Sequence, residues 1–280
     1  MYITIDVGGT NSRITSFESL TNPEIGEIIS FKNEDSYNSD MTKIIKAIEQ
    51  IGGSGVDKIG ICVPAVIDKK KEKIISCSNL MDWINKPIRN DLIQRFNCPV
   101  FLENDAVASA LAEAYFGYGK RKDFILVIWG TGIGGTAVKF FKGNPLVEPF
   151  EPGHHILDFD GPECTCGQKG CIQLSCGGSG IQYTFKKTAE NLNEKEWTLV
   201  LRDFAHCLMN IIMMRPTNLI ILGGGIAINQ FSRINKLKKI LEEKLTVYPV
   251  PEIKISKLRE NLGLFGSLAL INLNIEKKHV

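Results

Sequence analysis

A β-branched run, YITIDV (2–7), breaks on Gly8-Gly9 and resumes as SRITSF (12–17). That pattern predicts a strand, a tight turn and a returning strand. About half a chain later the arrangement recurs in DFILVIWGTGIGGTAVKFF (123–141). Val7-Gly8-Gly9-Thr10 and Ile133-Gly134-Gly135-Thr136 each run into a β stretch, so the chain reads as an internal duplication. Three further apolar runs, KIGICVPAVID (58–68), PVFLENDA (99–106) and NLIILGGGIA (218–227), predict buried strands. Between them, DMTKIIKAIEQI (40–51) places Met41, Ile44, Ile45, Ala47, Ile48 and Ile51 at helical spacing, with Asp40 or Thr42 near its start. VASALAEAYF and LGLFGSLALINL (262–273) read as two more helices. Strands alternating with helices give an α/β protein, and 280 residues suffice for two domains with separate cores.

Charge and hydropathy exclude several partners. The formal net charge is +2, which offers no electrostatic reason to bind nucleic acid or an anionic membrane. No apolar run approaches the roughly 18 to 20 residues needed to span a bilayer. MYITIDVGGT enters a strand pattern at once, so the expectation is a cytoplasmic protein without a signal peptide or an N-terminal DNA-binding domain.

Eight cysteines remain to be explained. In a reducing compartment, clustered thiols bind metal or do redox chemistry more often than they form disulfides. Cys62 and Cys207 sit among apolar neighbours and read as small buried hydrophobes. Cys164, Cys166 and Cys171, in CTCGQKGC, are different: three soft ligands with Gly167 and Gly170 between them, ten residues after His154. With one histidine they make a Cys₃His set, the donor set of a closed structural zinc site. The alternative is three free thiols in a loop. His155 competes with His154 for the fourth position.

Three glycine turns, DVGGTN, GTGIGG and LGGGIA, each end a strand. Glycine lets backbone N–H groups approach an anion closely; the plain reading of any one of them is a hairpin or helix-start turn. Asp6 is placed to hold Mg²⁺ through water. In FLENDA, Asn104-Asp105 ends a strand before a helix; both residue types are favoured N-caps, and a carboxylate there also suits a general base. Glu103 points to the other side of the strand. The run KKKEK (69–73) reads as a solvated hairpin tip, and Trp83 as packing.

DVGGT, LENDA, GTGIGG, EPGH, CTCGQKGC and LGGGIA stand in the order seen in the ROK family (repressors, open reading frames and sugar kinases), which the chain resembles from Ile5 to about Gly266. The resemblance implies a duplicated two-domain actin/hexokinase-like (ribonuclease H-like) fold with an inter-domain cleft for ATP and sugar. The expected domains are 1–104 plus 265–280, and 105–264. Gly8, Gly9 and Thr10 would form the first phosphate loop, Thr131 and Gly132 the second, and Gly223, Gly224 and Gly225 would contact adenosine. Asp105 would be the catalytic base. Asn79, Asn104, Glu151, His154 and Gln173 would line the sugar site, and His154, Cys164, Cys166 and Cys171 would hold zinc.

The implied function is an ATP-dependent hexose kinase using Mg²⁺, a glucokinase first. An N-acetylmannosamine, fructose or allose kinase and a non-catalytic sugar-binding protein are the alternatives; relatives of this kind are dimers or tetramers. The pattern departs from the family at three places: Gln173 stands where members carry Glu, Ala65 where they carry Gly, and GNPLVEPF lacks the glycine-rich approach to Glu151.

Overall fold

The computed structural model describes residues 1–34, 36–53, 55–77 and 80–276. The chain divides into two compact units: Met1–Phe116 with the segment from Asn261 onward, and Gly117–Glu260.

In the first unit the elements run β1 (Tyr2–Val7), β2 (Asn11–Phe17), β3 (Ile29–Lys32), α1 (Tyr37–Gly52), β4 (Lys58–Val63), β5 (Val66–Ile67), β6 (Ile74–Ser76), α2 (Ile88–Phe96), β7 (Val100–Asn104) and α3 (Asp105–Phe116). The main sheet has the order β3-β2-β1-β4-β7. β1 pairs antiparallel with β2 and parallel with β4, and β4 pairs parallel with β7. Ile3, Ile5 and Val7 of β1 share one core with Ile44 and Ile48 of α1, with Ile59 and Ile61 of β4, and with Trp83. α1 begins at Tyr37, one turn before the expected start. Asp40 lies in its first turn, and its buried carboxylate accepts from the Glu34 amide at 2.9 Å and from the Trp83 indole N–H at 3.4 Å.

The second unit runs β8 (Phe124–Trp129), β9 (Ile133–Phe141), β10 (Asn144–Phe150), a single 3₁₀ turn (Pro152–His154), α4 (Gln173–Cys176), α5 (Gly178–Phe185), α6 (Glu194–Met214), β11 (Leu219–Gly223), α7 (Gly225–Asn229), α8 (Ile234–Lys244) and β12 (Glu252–Ile255). Its sheet order is β10-β9-β8-β11-β12. β8 pairs antiparallel with β9 and parallel with β11, which pairs parallel with β12. α6 starts at a capping box: Asn193 accepts the amides of Lys195 and Glu196, and the Glu196 carboxylate accepts the Asn193 amide. Its buried face carries Phe204, stacked on Trp129 with centroids 3.8 Å apart.

Each sheet is an antiparallel three-strand meander followed by two parallel strands, so the duplication is present in the topology. Its register differs from the sequence match. Val7 ends β1, and its structural counterpart is Trp129, which ends β8. Gly134, Gly135 and Thr136 lie inside β9, and the turn equivalent to Gly8-Gly9-Thr10 is Gly130-Thr131-Gly132.

The chain then returns to the first unit in α9 (Leu262–Glu276). Small residues bring α9 onto the sheet: a Cβ at Gly60 would lie 2.0 Å from the Ser267 carbonyl, and Ser267 Oγ donates to the Ile5 carbonyl at 2.8 Å. α3 packs on α9, with the rings of Phe116 and Phe265 at 5.7 Å. This contact holds α3 in the first unit, so the division falls after Phe116 rather than at Asn104. No described helix is long and apolar enough to cross a membrane.

Candidate active site

In the first unit the parallel strands β1, β4 and β7 end side by side. Asp6 is registered with Cys62, Cys62 with Glu103, and Val63 with Asn104. The carboxyl ends of parallel strands are where open α/β sheets bind ligands. The first glycine turn follows Asp6 there, closed by the Gly8 amide donating to the Asn11 carbonyl at 2.8 Å, with Gly9 and Thr10 exposed at its tip. Asn33, which sequence reasoning missed, clamps the turn. Its amide donates to the Gly8 carbonyl at 2.7 Å, its side-chain oxygen accepts from Ser12 Oγ at 2.7 Å, and its backbone N–H reaches the Thr10 carbonyl at 2.9 Å. No spacing rule links residues that far apart.

Asp6 is held from two sides. The Cys62 thiol donates to its Oδ1 at 3.4 Å, and a Cβ at Gly263 would sit 2.4 Å from the carboxyl carbon. Burial lifts the Asp6 carboxyl above its ordinary value of 3.8, with the Cys62 thiol and the Arg13 charge pulling the other way. Burial, then the field of Asp6 and more weakly that of Asp105, keeps the Cys62 thiol protonated well above its usual range. Asp105 directly follows Asn104, so it stands at the end of β7 in the same row of strand ends as Asp6.

Asn104 caps α3: its side-chain oxygen accepts the Ala106 and Val107 amides at 2.9 and 3.2 Å, and its amide donates to the Ala65 carbonyl at 3.1 Å. One N–H of that amide is left for a ligand. Asp105 Oδ1 accepts the Ala106 amide at 2.8 Å. Glu103 is buried and paired with Lys71, so one lysine of the KKKEK tip is tied down by the strand neighbouring the hairpin. Asn79 lies outside the described residues.

In the second unit, β8 and β11 also end together. A Cβ at Gly224 would meet the Trp129 carbonyl at 2.5 Å, so the turns at Gly130–Gly132 and Gly223–Gly225 abut. Gly130–Gly132 is fixed by backbone: the Gly130 amide donates to Gly132, Gly178 donates to Gly130 at 2.8 Å, and Ser179 to Thr131 at 2.9 Å. Beside α7 lies a cavity of about 370 Å³ whose lining includes Tyr118, Ile228, Phe231, Ile255, Lys257 and Arg259. Its two aromatic rings carried no sequence signal.

Glu151 precedes the 3₁₀ turn and His154 ends it, and the His154 amide donates to the Glu151 carbonyl at 3.1 Å. His154, Cys164, Cys166 and Cys171 converge, their ligand atoms all within 4.8 Å of one another. His154 Nδ1 is 3.7 Å from Cys164 Sγ, and Cys166 Sγ is 3.6 Å from Cys171 Sγ. A zinc with bonds of roughly 2.3 Å to sulfur makes a tetrahedron with edges of about 3.8 Å, so the four atoms fit that ion. They are too far apart for a disulfide. Gly170, at φ 64°, permits the tight loop: a Cβ there would fall 1.6 Å from the Asp158 carbonyl oxygen.

Burial raises the Cys164 thiol, but hydrogen bonds from Cys166, Gln173 and Cys171 together outweigh it and bring it down to about 6. Cys171 is pushed up to about 12 by burial and by its two thiol neighbours. His155 stays outside the set; its carbonyl accepts the Ile172 amide at 2.8 Å, and its Nδ1 is buried without a partner.

Gln173 does not point its amide into open space: it donates to Cys164 Sγ at 3.6 Å and accepts the Ile133 amide at 3.4 Å.

The chain is similar to proteins of known kind. A glucokinase of Thermotoga maritima is 28% identical, with 96% of each chain covered. A xylose repressor of Caldicellulosiruptor bescii is 27% identical over 78% of this chain, which spans 63% of that protein. The crystal structure of a ROK hexokinase from Thermus thermophilus superposes with a TM-score of 0.79 at 23% identity, covering 99% of each chain. That likeness is one of fold, a two-domain actin/hexokinase-like architecture with the two sheets described above. The model of the ROK family matches residues 2–273, from the first strand to the last helix, and the chain belongs to that family.

Proposed function

We propose that this ATP-dependent sugar kinase phosphorylates the 6-hydroxyl of glucose, giving ADP and glucose 6-phosphate. The observation that carries the reading is the row of strand ends that places Asp6, the Gly8–Thr10 turn and Asp105 along one edge of the first sheet. A base for the hydroxyl proton and a phosphate-binding turn with a carboxylate for Mg²⁺ are the parts that phosphoryl transfer needs. Asp105 takes the proton, Asp6 holds Mg²⁺ through water, and Gly8, Gly9, Thr10, Thr131 and Gly132 bind the phosphates. Gly223–Gly225 and the aromatic cavity beside α7 take the adenosine. Asn104, Glu151, His154 and Gln173 orient the sugar. Zinc, held by His154 and the three thiols, supplies structure and no step of the transfer. Similarity to the Thermotoga glucokinase supports glucose as the acceptor.

The test is ADP release measured over glucose, mannose, fructose, allose and N-acetylmannosamine, with Asp105→Asn as control. Glucose with the highest kcat/KM is the expected result; a different best sugar changes the substrate and keeps the reaction. Similarity to the xylose repressor supports a second reading, a sugar binder without catalysis. Sugar binding with no turnover on the whole panel selects it. Light scattering tests the expected dimer or tetramer.

A further inference from the structure

Gln173 touches two parts of the second unit that the proposed function treats separately. Its Nε2 donates to Cys164 Sγ at 3.6 Å, and its Oε1 accepts the amide of Ile133, the residue that follows the second glycine turn, at 3.4 Å. The fit is close, since a Cβ on either Gly132 or Gly153 would stand 2.9 Å from Oε1. The main chain continues the connection. Gln173 opens α4, its carbonyl accepts the Gly177 amide at 2.9 Å, and Gly178 and Ser179 then grip Gly130 and Thr131.

Only an amide does both jobs. Ile133 presents a donor and needs an acceptor, whereas a metal-bound thiolate is an acceptor and needs a donor. Glutamate at this position would satisfy Ile133 and turn a second negative group toward the sulfur. A side chain of equal length without polar atoms, methionine, would satisfy neither.

The geometry points to Gln173 as a positioning residue that ties the Cys164 thiolate of the metal knot to the glycine turn at Gly130–Gly132. Metal occupancy and nucleotide binding are then linked through one side chain, and the knot braces the phosphate side of the second unit as well as the segment with Glu151. This inference rests on the zinc and nucleotide readings above, and it concerns binding, so its test needs no turnover.

The zinc-loaded full chain, wild type and the variants Gln173→Glu and Gln173→Met, is titrated with a chromophoric chelator. Each is also titrated with a non-hydrolysable ATP analogue in the presence of Mg²⁺. Both variants are expected to bind zinc about tenfold more weakly, the scale of losing a group that orients a ligand. The analogue is expected to bind several-fold more weakly to both. In the cobalt-substituted proteins, removing an N–H donor from the thiolate raises the energy of its lone pairs. The sulfur-to-cobalt charge-transfer band should therefore move to longer wavelength in both variants, a change that loosened packing alone does not produce. Unchanged zinc affinity and an unmoved band overturn the inference. Weaker zinc binding with unchanged analogue binding overturns the link to the turn. A wild-type chain that holds no zinc, or binds no analogue, overturns the reading beneath it as well.

Discussion

The two glycine turns sit at equivalent places in two sheets of the same order, yet they are braced by different means. In the first unit one residue, Asn33, ties the Gly8–Thr10 turn to its hairpin with two side-chain hydrogen bonds and one from its backbone N–H. In the second unit the backbone of Gly178 and Ser179 and the amide of Gln173 hold Gly130–Gly132 and Ile133, and that segment hangs from a cluster of thiols. The first brace is complete once the chain folds. The second has its full strength only with a metal to which the thiols bind, because four ligand atoms, those of Cys164 and Cys171 on buried residues, crowd one point. Duplication preserved the sheet and left the bracing free to diverge.

The sharpest test of that contrast separates chemistry from scaffolding. Asp105→Asn is expected to lower kcat by about 10³-fold, the usual scale for a general base, with sugar and nucleotide binding retained. A loss confined to KM would move Asp105 out of the catalytic role. Next, Cys171→Ser, or zinc removal by a chelator, should destabilise the second unit by several kcal/mol. Hydrogen exchange should show amides of 154–180 losing protection while β1, β2 and β4 keep theirs; uniform loss across both units would end the comparison. Asn33→Ala leaves the Gly8 carbonyl and Ser12 without their partner and should cost about 1–3 kcal/mol. Its KM for ATP should rise more than its KM for sugar, and chelation should add to the defect independently.

The smallest effect concerns Asp6. Burial raises its folded-state pKa above 3.8, so the folded chain holds a proton there that the unfolded chain has already lost. Stability therefore falls as pH rises through the window from 3.8 to the raised value, and the ionised carboxylate is a net cost above it. Asp6→Asn should raise Tm by a few degrees at pH 7 and give no gain below pH 3.8, while lowering activity through the loss of the proposed Mg²⁺ site. A gain that persists at low pH would show that the effect is not ionisation.

Much of this was legible in the residues. The hairpin of β1 and β2 follows from β-branched runs around two glycines, and the thiol spacing brought Cys164, Cys166 and Cys171 to one point with His154. Local pattern fails where a distant partner decides. Asp40 stands near the helix start as its pattern implies, but nothing local shows that its carboxylate is buried as an acceptor for Trp83. Gly134-Gly135 matches Gly8-Gly9 in letters and sits inside a strand, because register is set by the neighbouring strands. Asn33 and the orientation of Gln173 depend on loops that meet only after folding. The domain limit at Phe116 depends on α9, more than a hundred residues away in the chain.

That return of α9 has a consequence for synthesis. The second unit is one unbroken stretch, 117–260, whereas the first must wait for residues beyond 260 before Leu264, Leu268 and Ile271 can cover its sheet. Domains usually finish in the order in which they leave the ribosome. Here the half that is made first is the last to be completed, with the face of β1 and β4 uncovered until the final helix emerges.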